Sequence, residues 1–192
     1  MLIYEKASEA DMDLLVKMRS EVLRAANGLN ENEDMSLVEQ QTREYYGEAL
    51  KNGTNVTYMI FDDGNCIGTG SISFFRVMPT FHNPTGWKAY IMNMYTNPGY
   101  RRKGIAWHTL ELLTKEARGR GITYISLEAT DMGLPLYERF GFVKMMDEMM
   151  LPEDKIEKCA EASQIPLSQR RTGGSARVPQ RKTLRHGGKN EF

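Results

Sequence analysis

A short basic loop with one glycine is the segment of this chain whose residue types best fit ligand binding. It reads Tyr-Arg-Arg-Lys-Gly-Ile-Ala over residues 100–106, between a predicted strand and a predicted helix. The first turn of a helix exposes unpaired backbone N–H groups and the positive end of the helix dipole. Gly104 leaves room for a ligand near the backbone, and Arg101, Arg102 and Lys103 add three cations. The combination is typical of a diphosphate site rather than a site for a single carboxylate.

Such a loop is weak evidence by itself, because basic surface loops are often only solvated. The short pattern Arg-x-x-Gly-x-Ala also arises by chance in unrelated chains of average composition. Two better-defined phosphate motifs are absent, since the sequence has neither a GxGxxG fingerprint here nor a GxxxxGK[ST] loop. Phosphate binding is therefore predicted only in combination with the elements that surround the loop.

The surrounding elements alternate between strands and helices. Alternating and β-branched runs predict six strands, Leu2–Lys6, Thr54–Phe61, Cys66–Phe75, Lys88–Thr96, Ile122–Ala129 and Phe142–Leu151. Helical periodicity predicts a helix after Ser8, one from Ser36 with a capping box to Glu39, and two more over Ile105–Arg118 and Gly133–Phe140. The strand–helix–strand segment 88–129 requires a parallel crossover, so the fold class is a mixed α/β (α+β) arrangement.

Length and composition fit one globular domain. The chain has 192 residues, of which 41% are hydrophobic, and its formal net charge is zero, so general attraction to nucleic acid is not expected. No apolar run approaches the roughly 18 residues of a membrane span. The acidic N-terminal residues do not resemble a secretion signal, and Cys66 and Cys159 indicate no disulfide framework. We therefore predict a cytoplasmic location and no membrane partner.

The C-terminal segment differs in composition from the rest. Residues 164–192 contain seven Lys or Arg residues against the single acid Glu191, with many Gly, Ser and Pro residues. Such a segment cannot bury enough apolar surface to become ordered. We predict a domain over residues 1–152 and a basic, disordered tail over residues 153–192. A nucleic-acid-binding arm is the less favoured interpretation of this tail.

Two motifs together resemble the GNAT superfamily of acyl-CoA-dependent N-acyltransferases. The run from Met94 to Ala106 is similar to the family signature of an apolar strand, a turn with Pro and an aromatic residue, and [RQ]xxGx[GA] opening a helix. About thirty residues later, Leu136–Phe142 resembles the family's LYxxxGF segment. The resemblance covers about residues 2–151. It implies a mixed, mostly antiparallel central sheet with a splayed parallel pair and flanking helices.

The resemblance also implies how acetyl-CoA would bind. The central strand before the loop would bulge, and the backbone of this strand would contact the pantetheine arm through Met94, Tyr95 and Thr96. The loop and first helical turn would hold the diphosphate through Arg101, Arg102, Lys103, Gly104, Ile105 and Ala106. No metal is implied, because the three histidines are distant in sequence and lack ligand spacing.

Tyr137 matches the family tyrosine that often protonates the departing thiolate, a role that suits a phenol of pKa about 10. Packing of the last helix is the alternative role for this side chain. Glu128 at a strand end is a candidate base for the acceptor amine, and Asn93 a candidate wall of the same cleft. The loop acids Glu31, Glu33 and Asp34 either attract a cationic amine or form a polar loop in which Asp34 caps the next helix.

The resemblance implies an acetyl-CoA-dependent N-acetyltransferase that works by direct attack of a primary amine. The expected acceptor is a small molecule, such as an amino acid, a polyamine or an aminoglycoside-like antibiotic. The alternatives are acetylation of protein N-termini or lysines, and a non-catalytic module that binds acyl-CoA. Nucleic acid is not an expected partner of the domain, and a homodimer is left open.

Overall fold

Five strands form one mixed sheet in the computed structural model, which describes residues 1–145 and 148–151. They are β1 Ile3–Lys6, β2 Asn55–Asp62, β3 Asn65–Arg76, β4 Trp87–Thr96 and β5 Ile125–Leu127. Their order in the sheet is the order in the chain. The first four are antiparallel neighbours, and β4 and β5 are parallel. The predicted fold class, with its parallel pair, is confirmed.

Helices cover both faces of the sheet. They are α1 Met12–Asn27, α2 Ser36–Ala49, α3 Ile105–Gly119 and α4 Leu134–Phe140. On one face, Leu15 of α1 and Tyr46 of α2 pack against Met59 of β2. On the other face, α3 and α4 bury their apolar side chains against strands β3 and β4, through Ile72, Ile91, Leu110, Leu113 and Tyr137. Because successive strand residues point to opposite faces, each strand contributes to both layers.

The two predicted helix starts have different outcomes. Both the N–H and the Oγ of Ser8 donate to Asp11 Oδ2 at 2.8 Å, and this turn leads into α1 as predicted. The prediction of a capping box between Ser36 and Glu39 is wrong. Ser36 is the first residue of α2, and its N–H donates to Asp34 Oδ1 at 2.9 Å. The Glu39 carboxylate instead accepts a hydrogen bond from Ser20 Oγ at 2.9 Å, because tertiary contact with α1 replaces the local one.

The end of the chain differs most from the prediction. β5 has three residues, where a strand over Ile122–Ala129 was expected. The predicted strand Phe142–Leu151 does not form in its described residues, 142–145 and 148–151. Val143 and Met149 there are largely exposed, so apolar alternation alone did not create a strand. The chain divides into the units Met1–Val143 and Lys144–Phe192. The predicted tail, 153–192, lies outside the described residues.

A charge cluster ties β1 to α3. Lys6 Nζ lies 2.6 Å from Glu116 Oε1, and the Tyr58 hydroxyl donates to the same oxygen at 2.9 Å. Burial raises the pKa of Glu116, but the hydrogen bonds from Lys6 and Tyr58 outweigh it and hold that pKa below its ordinary value. The stabilisation is therefore present above the carboxyl pKa of the unfolded chain and is lost as the pH falls through the lower folded pKa.

We expect Glu116→Gln to lower the free energy of unfolding at pH 7 by about 1 kcal/mol, because a partly buried charged hydrogen-bond acceptor is lost. Urea unfolding should show this difference at pH 7 and a smaller one below about pH 4, where the carboxylate becomes protonated. Glu48→Gln, on the exposed surface of α2, is the matched control. An equal loss at both pH values would contradict the assigned ionic contribution.

Candidate functional site

The basic loop forms an open helix N-terminus. Gly104 adopts a left-handed conformation with φ of 81°, and α3 begins at the next residue. Ile105 is buried against Ile60 and Ile67, which anchors the first turn to the sheet. A Cβ at Gly104 would meet nothing within 4 Å, and no side chain of the described residues caps the turn. The first helical bond runs from the N–H of His108 to the carbonyl of Gly104, and the N–H groups before it have no hydrogen-bond acceptor among the described residues.

The cations of the loop differ in their contacts. Arg101 Nε donates to the carbonyl of Thr96 at 3.1 Å, which ties the loop to the end of β4. Lys103 Nζ lies 4.9 Å from the centre of the Tyr100 ring. Arg102 has φ of 62° and no ion pair with any described residue. The loop thus carries exposed positive charge beside the open helical turn, as its sequence predicts.

β4 contains a bulge just before this loop. In the pairing with β3, Ser71 lies opposite Met92 and Thr69 opposite Tyr95, so two residues, Asn93 and Met94, face the single residue between them. Asn93 has φ of 57°, a conformation that Asn tolerates better than most residues. The extra residue turns the side chain of Asn93 toward α1, while the side chain of Met94 packs on the α3 side of the sheet. The bulge implied by the family resemblance is present.

Gly70 is the residue of β3 opposite the bulge. A Cβ there would lie 2.5 Å from Thr109 Cγ2 and 2.7 Å from Met94 Sδ. The close approach of α3 to β3 at this point therefore requires glycine. Gly70 was not predicted from the sequence, although a glycine inside a β-branched strand is a known signal of close backbone approach.

The sheet opens beside the bulge. Pairing between β4 and β5 ends at Ile91 and Leu127, whereas β4 continues to Thr96. The edge of β4 from Met92 onward is therefore unpaired on this side within the described structure. Thr96, at the end of that edge, has a buried Oγ1 without a hydrogen-bond partner among the described residues.

Tyr137 lies on the α3 side of the sheet. It is 8% exposed and packs edge-on against Phe142, with ring centres 6.1 Å apart. A Cβ at Gly133 would lie 2.9 Å from Tyr137 Cε2, so glycine one turn earlier makes room for the ring. Its hydroxyl has no hydrogen bond to residues 1–145 or 148–151. Burial raises the pKa of Tyr137, which keeps the phenol protonated at neutral pH.

A cavity of about 710 Å³ lies on the other face of the sheet, below α1 and α2. This volume is typical of small-molecule sites. Much of its wall is apolar, and the polar side chains that reach it include Arg19 and Asn93. No Asp or Glu is among the described lining residues, which are Arg19, Leu37, Val38, Gln41, Thr42, Tyr45, Tyr46, Thr54, Ser73, Phe74, Phe75, Tyr90, Met92 and Asn93.

The remaining predicted residues differ in their position relative to this cavity. Asn93 is part of the cavity wall, whereas Glu128 follows β5 directly, is exposed and lies outside the wall. Asp34 caps α2, which confirms the polar-loop interpretation for that residue. Glu33 accepts hydrogen bonds on its carbonyl from Arg24 and on its carboxylate from Asn30. Glu33 and Asp34 thus stabilise the loop and the start of α2.

Residues 1–145 and 148–151 contain no group of three His, Cys, Asp or Glu side chains placed to hold a metal ion. None of their helices is long and apolar enough to cross a membrane.

Known proteins share both the sequence pattern and the fold. A sequence model of the Acetyltransferase (GNAT) family matches residues 21–142. A predicted acetyltransferase from Clostridium acetobutylicum, whose crystal structure is with acetyl-CoA, is 34% identical. The match covers 81% of this chain and 98% of that one, with a TM-score of 0.74. A comparison with curated proteins found no match.

More distant structures share the fold alone. A GCN5-related N-acetyltransferase from Ralstonia eutropha is 24% identical over 79% of this chain and 98% of that one, with a TM-score of 0.68. Glucosamine-6-phosphate N-acetyltransferase from Arabidopsis thaliana is 16% identical over 80% of this chain and 99% of that one, with a TM-score of 0.61.

Proposed function

Because the chain belongs to the GNAT family of acetyltransferases, we propose that it moves the acetyl group of acetyl-CoA to a primary amine of a small molecule that carries an apolar group. The observation that carries this proposal is the cavity below α1 and α2, which has the volume of a small-molecule site and a mainly apolar wall. A polyamine or an aminoglycoside-like acceptor would need acidic side chains, and none is among the described lining residues.

The open turn at Gly104 supports binding of the diphosphate of acetyl-CoA. We propose that the N–H groups of Ile105 and Ala106, in the first turn of α3, donate to phosphate oxygens and that Arg102 adds a guanidinium beside them. The unpartnered Thr96 hydroxyl and the unpaired edge of β4 supply polar groups for the rest of the coenzyme, along Met94 and Tyr95. When bound, the coenzyme supplies an activated acetyl group and a thiolate leaving group.

Tyr137 is proposed as the proton donor to the sulfur. Its raised pKa keeps the proton on the phenol until negative charge develops near it. The ring packs on one face of the sheet, and the acceptor cavity lies on the other face, so the opening beside the bulge provides the passage between them. We propose that a backbone N–H of the bulge polarises the carbonyl that is attacked.

The acceptor amine must lose a proton, because an alkyl amine with pKa about 10.4 is mostly protonated at pH 7. Glu128 remains our proposed base. Since it is exposed and outside the cavity wall, we propose that it receives the proton through water and not by direct contact. Bulk solvent is the alternative acceptor of this proton.

Thiol release from acetyl-CoA in the presence of an amine panel tests the function. The panel contains apolar primary amines, spermidine, an aminoglycoside, a peptide with a free N-terminus and a lysine peptide, with mass detection of products. We expect apolar small amines to be acetylated fastest. Faster acetylation of a peptide would support the protein acetyltransferase alternative. Binding of acetyl-CoA without turnover of any amine would support the non-catalytic module.

Arg102→Gly tests the contribution of the Arg102 charge to acetyl-CoA binding without a change in the backbone conformation of the loop. Glycine suits the left-handed φ at this position, so the turn is kept while the guanidinium is lost. We expect acetyl-CoA to bind about five- to thirtyfold more weakly in calorimetry, the equivalent of about 1 to 2 kcal/mol for a charged hydrogen bond. Asp63→Gly, at another positive φ in the β2–β3 turn, is the control. Equal affinity in the two variants would exclude Arg102 from the diphosphate site.

A further inference from the structure

Arg19 is a cation without an anion in the acceptor cavity. It projects from α1, is half-buried, and makes no ion pair with the described residues. Its Nη1 donates a hydrogen bond to Asn93 Oδ1 at 3.2 Å. An arginine in an apolar cleft is costly to desolvate unless a negative group compensates it. The cavity therefore favours a ligand that brings a negative charge.

Asn93 points to the same kind of ligand. It is 7% exposed, and its Nδ2 is a buried donor with no partner among the described residues. Because an arginine can only donate, the bond from Arg19 fixes the amide oxygen toward it and leaves the NH₂ group as the unused donor. A buried donor without a partner destabilises the folded protein, so a ligand oxygen at this point is favoured.

Two adjacent donors, one of them charged, match a carboxylate. Guanidinium groups bind carboxylates through parallel N–H donors, and the amide of Asn93 adds a neutral donor at its side. The lining residues around them, such as Met92 and Tyr90, offer apolar surface instead of further charges. The wall near Leu37 and Val38 of α2 is also apolar and partly exposed.

On the basis of the proposed function, we infer that the acceptor is an apolar α-amino acid whose carboxylate is bound by Arg19 and Asn93. Asn93 belongs to the bulge where the sheet opens toward the acetyl donor. In an α-amino acid a single carbon separates the amine from the carboxylate, so a carboxylate held at Asn93 places the amine next to this opening. The side chain of the amino acid then packs against the apolar wall of the cavity.

Three matched acceptors test the inference. They are an apolar amino acid, its amide, and the amine that lacks the carboxylate, namely L-phenylalanine, L-phenylalaninamide and 2-phenylethylamine. L-leucine, L-leucinamide and 3-methylbutylamine form a second series. We expect the acid of at least one series to have a kcat/KM about 10- to 100-fold above both analogues, the effect of charged hydrogen bonds to a carboxylate. Amine basicity does not explain a preference for the acid. The amine of the amino acid is intermediate in basicity, above that of the amide and below that of the carboxylate-free amine.

Substitutions at the two donors give the second readout. Arg19→Gln should bring the ratio of kcat/KM for the amino acid to kcat/KM for the carboxylate-free amine close to one. Asn93→Asp, which tolerates the same φ, should lower the same ratio, because its carboxylate pairs with Arg19 and repels the carboxylate of the acceptor. Lys17→Gln removes a positive charge from the exposed side of the same helix and should keep the wild-type ratio.

Binding of the acetylated products tests the carboxylate site without the need for turnover. N-acetyl-L-phenylalanine should bind the wild type more tightly than N-acetyl-2-phenylethylamine in calorimetry, and Arg19→Gln should abolish the difference. If small amines are acetylated without preference for the acids, or if Arg19→Gln affects all acceptors alike, the inference is overturned and the proposed function stands. If no small amine is acetylated, the proposed function fails, and equal binding of the two products would then overturn the carboxylate site as well.

Discussion

Replacing Tyr137 with phenylalanine is expected to lower kcat by about 10²- to 10⁴-fold, the usual contribution of a general acid. The change removes the proton that we assign to the departing thiolate but keeps the ring that packs against Phe142. Affinity for acetyl-CoA should stay nearly unchanged, because the proton is needed only when charge develops on the sulfur. Steady-state kinetics and calorimetric titration of the coenzyme measure the two quantities separately.

The pH profile and a second tyrosine serve as controls. Since burial raises the pKa of Tyr137, ionisation of this phenol should not reduce the wild-type rate below about pH 10. Tyr4→Phe removes the hydroxyl of another tyrosine. The Tyr4 ring packs against the same core cluster as Tyr137, but from β1 at the far edge of the sheet. Tyr4→Phe should keep full turnover. If Tyr137→Phe keeps it too, the role of Tyr137 is packing and the protonation step needs another donor.

Gly70→Ala is expected to lower the free energy of unfolding by about 1 to 3 kcal/mol, the typical cost of overpacking. The new methyl group would lie 2.5 Å from Thr109 Cγ2 and 2.7 Å from Met94 Sδ, so α3 or the bulge must shift. Because Met94 belongs to the proposed acetyl-CoA edge, the KM for the coenzyme should rise as well. Urea unfolding and steady-state kinetics measure both effects.

A second substitution distinguishes this steric explanation from a general intolerance of change in β3. Thr109→Ser removes the methyl carbon nearest to the new Cβ, so the double variant Gly70→Ala with Thr109→Ser should recover part of the lost stability. Gly47→Ala in α2, where a Cβ meets nothing within 4 Å, should be neutral or stabilising by about 0.5 to 1 kcal/mol. Strict additivity of the two changes in the double variant would contradict the assigned contact.

Features that depend on neighbouring residues were predictable from the sequence. The open helix start at Gly104 follows from a glycine, a basic run and the helical periodicity that begins at Ile105. Element order and the parallel crossover follow from changes in periodicity along the chain. The missing final strand shows the limit of this reasoning, because a strand also needs a partner, and alternation of residues does not supply one.

The sequence by itself therefore determined the order of the five strands and four helices described above and the open helix start at Gly104, since turn formation and helix starts depend on residues a few positions apart. Only the tertiary structure decided the acceptor cavity. Arg19 and Asn93 are 74 positions apart and meet because α1 packs over β4. Gly70 is required by the contact of α3 with β3, and the bulge turns Asn93 toward α1. Contacts between distant segments depend on how whole layers pack, which no local pattern encodes.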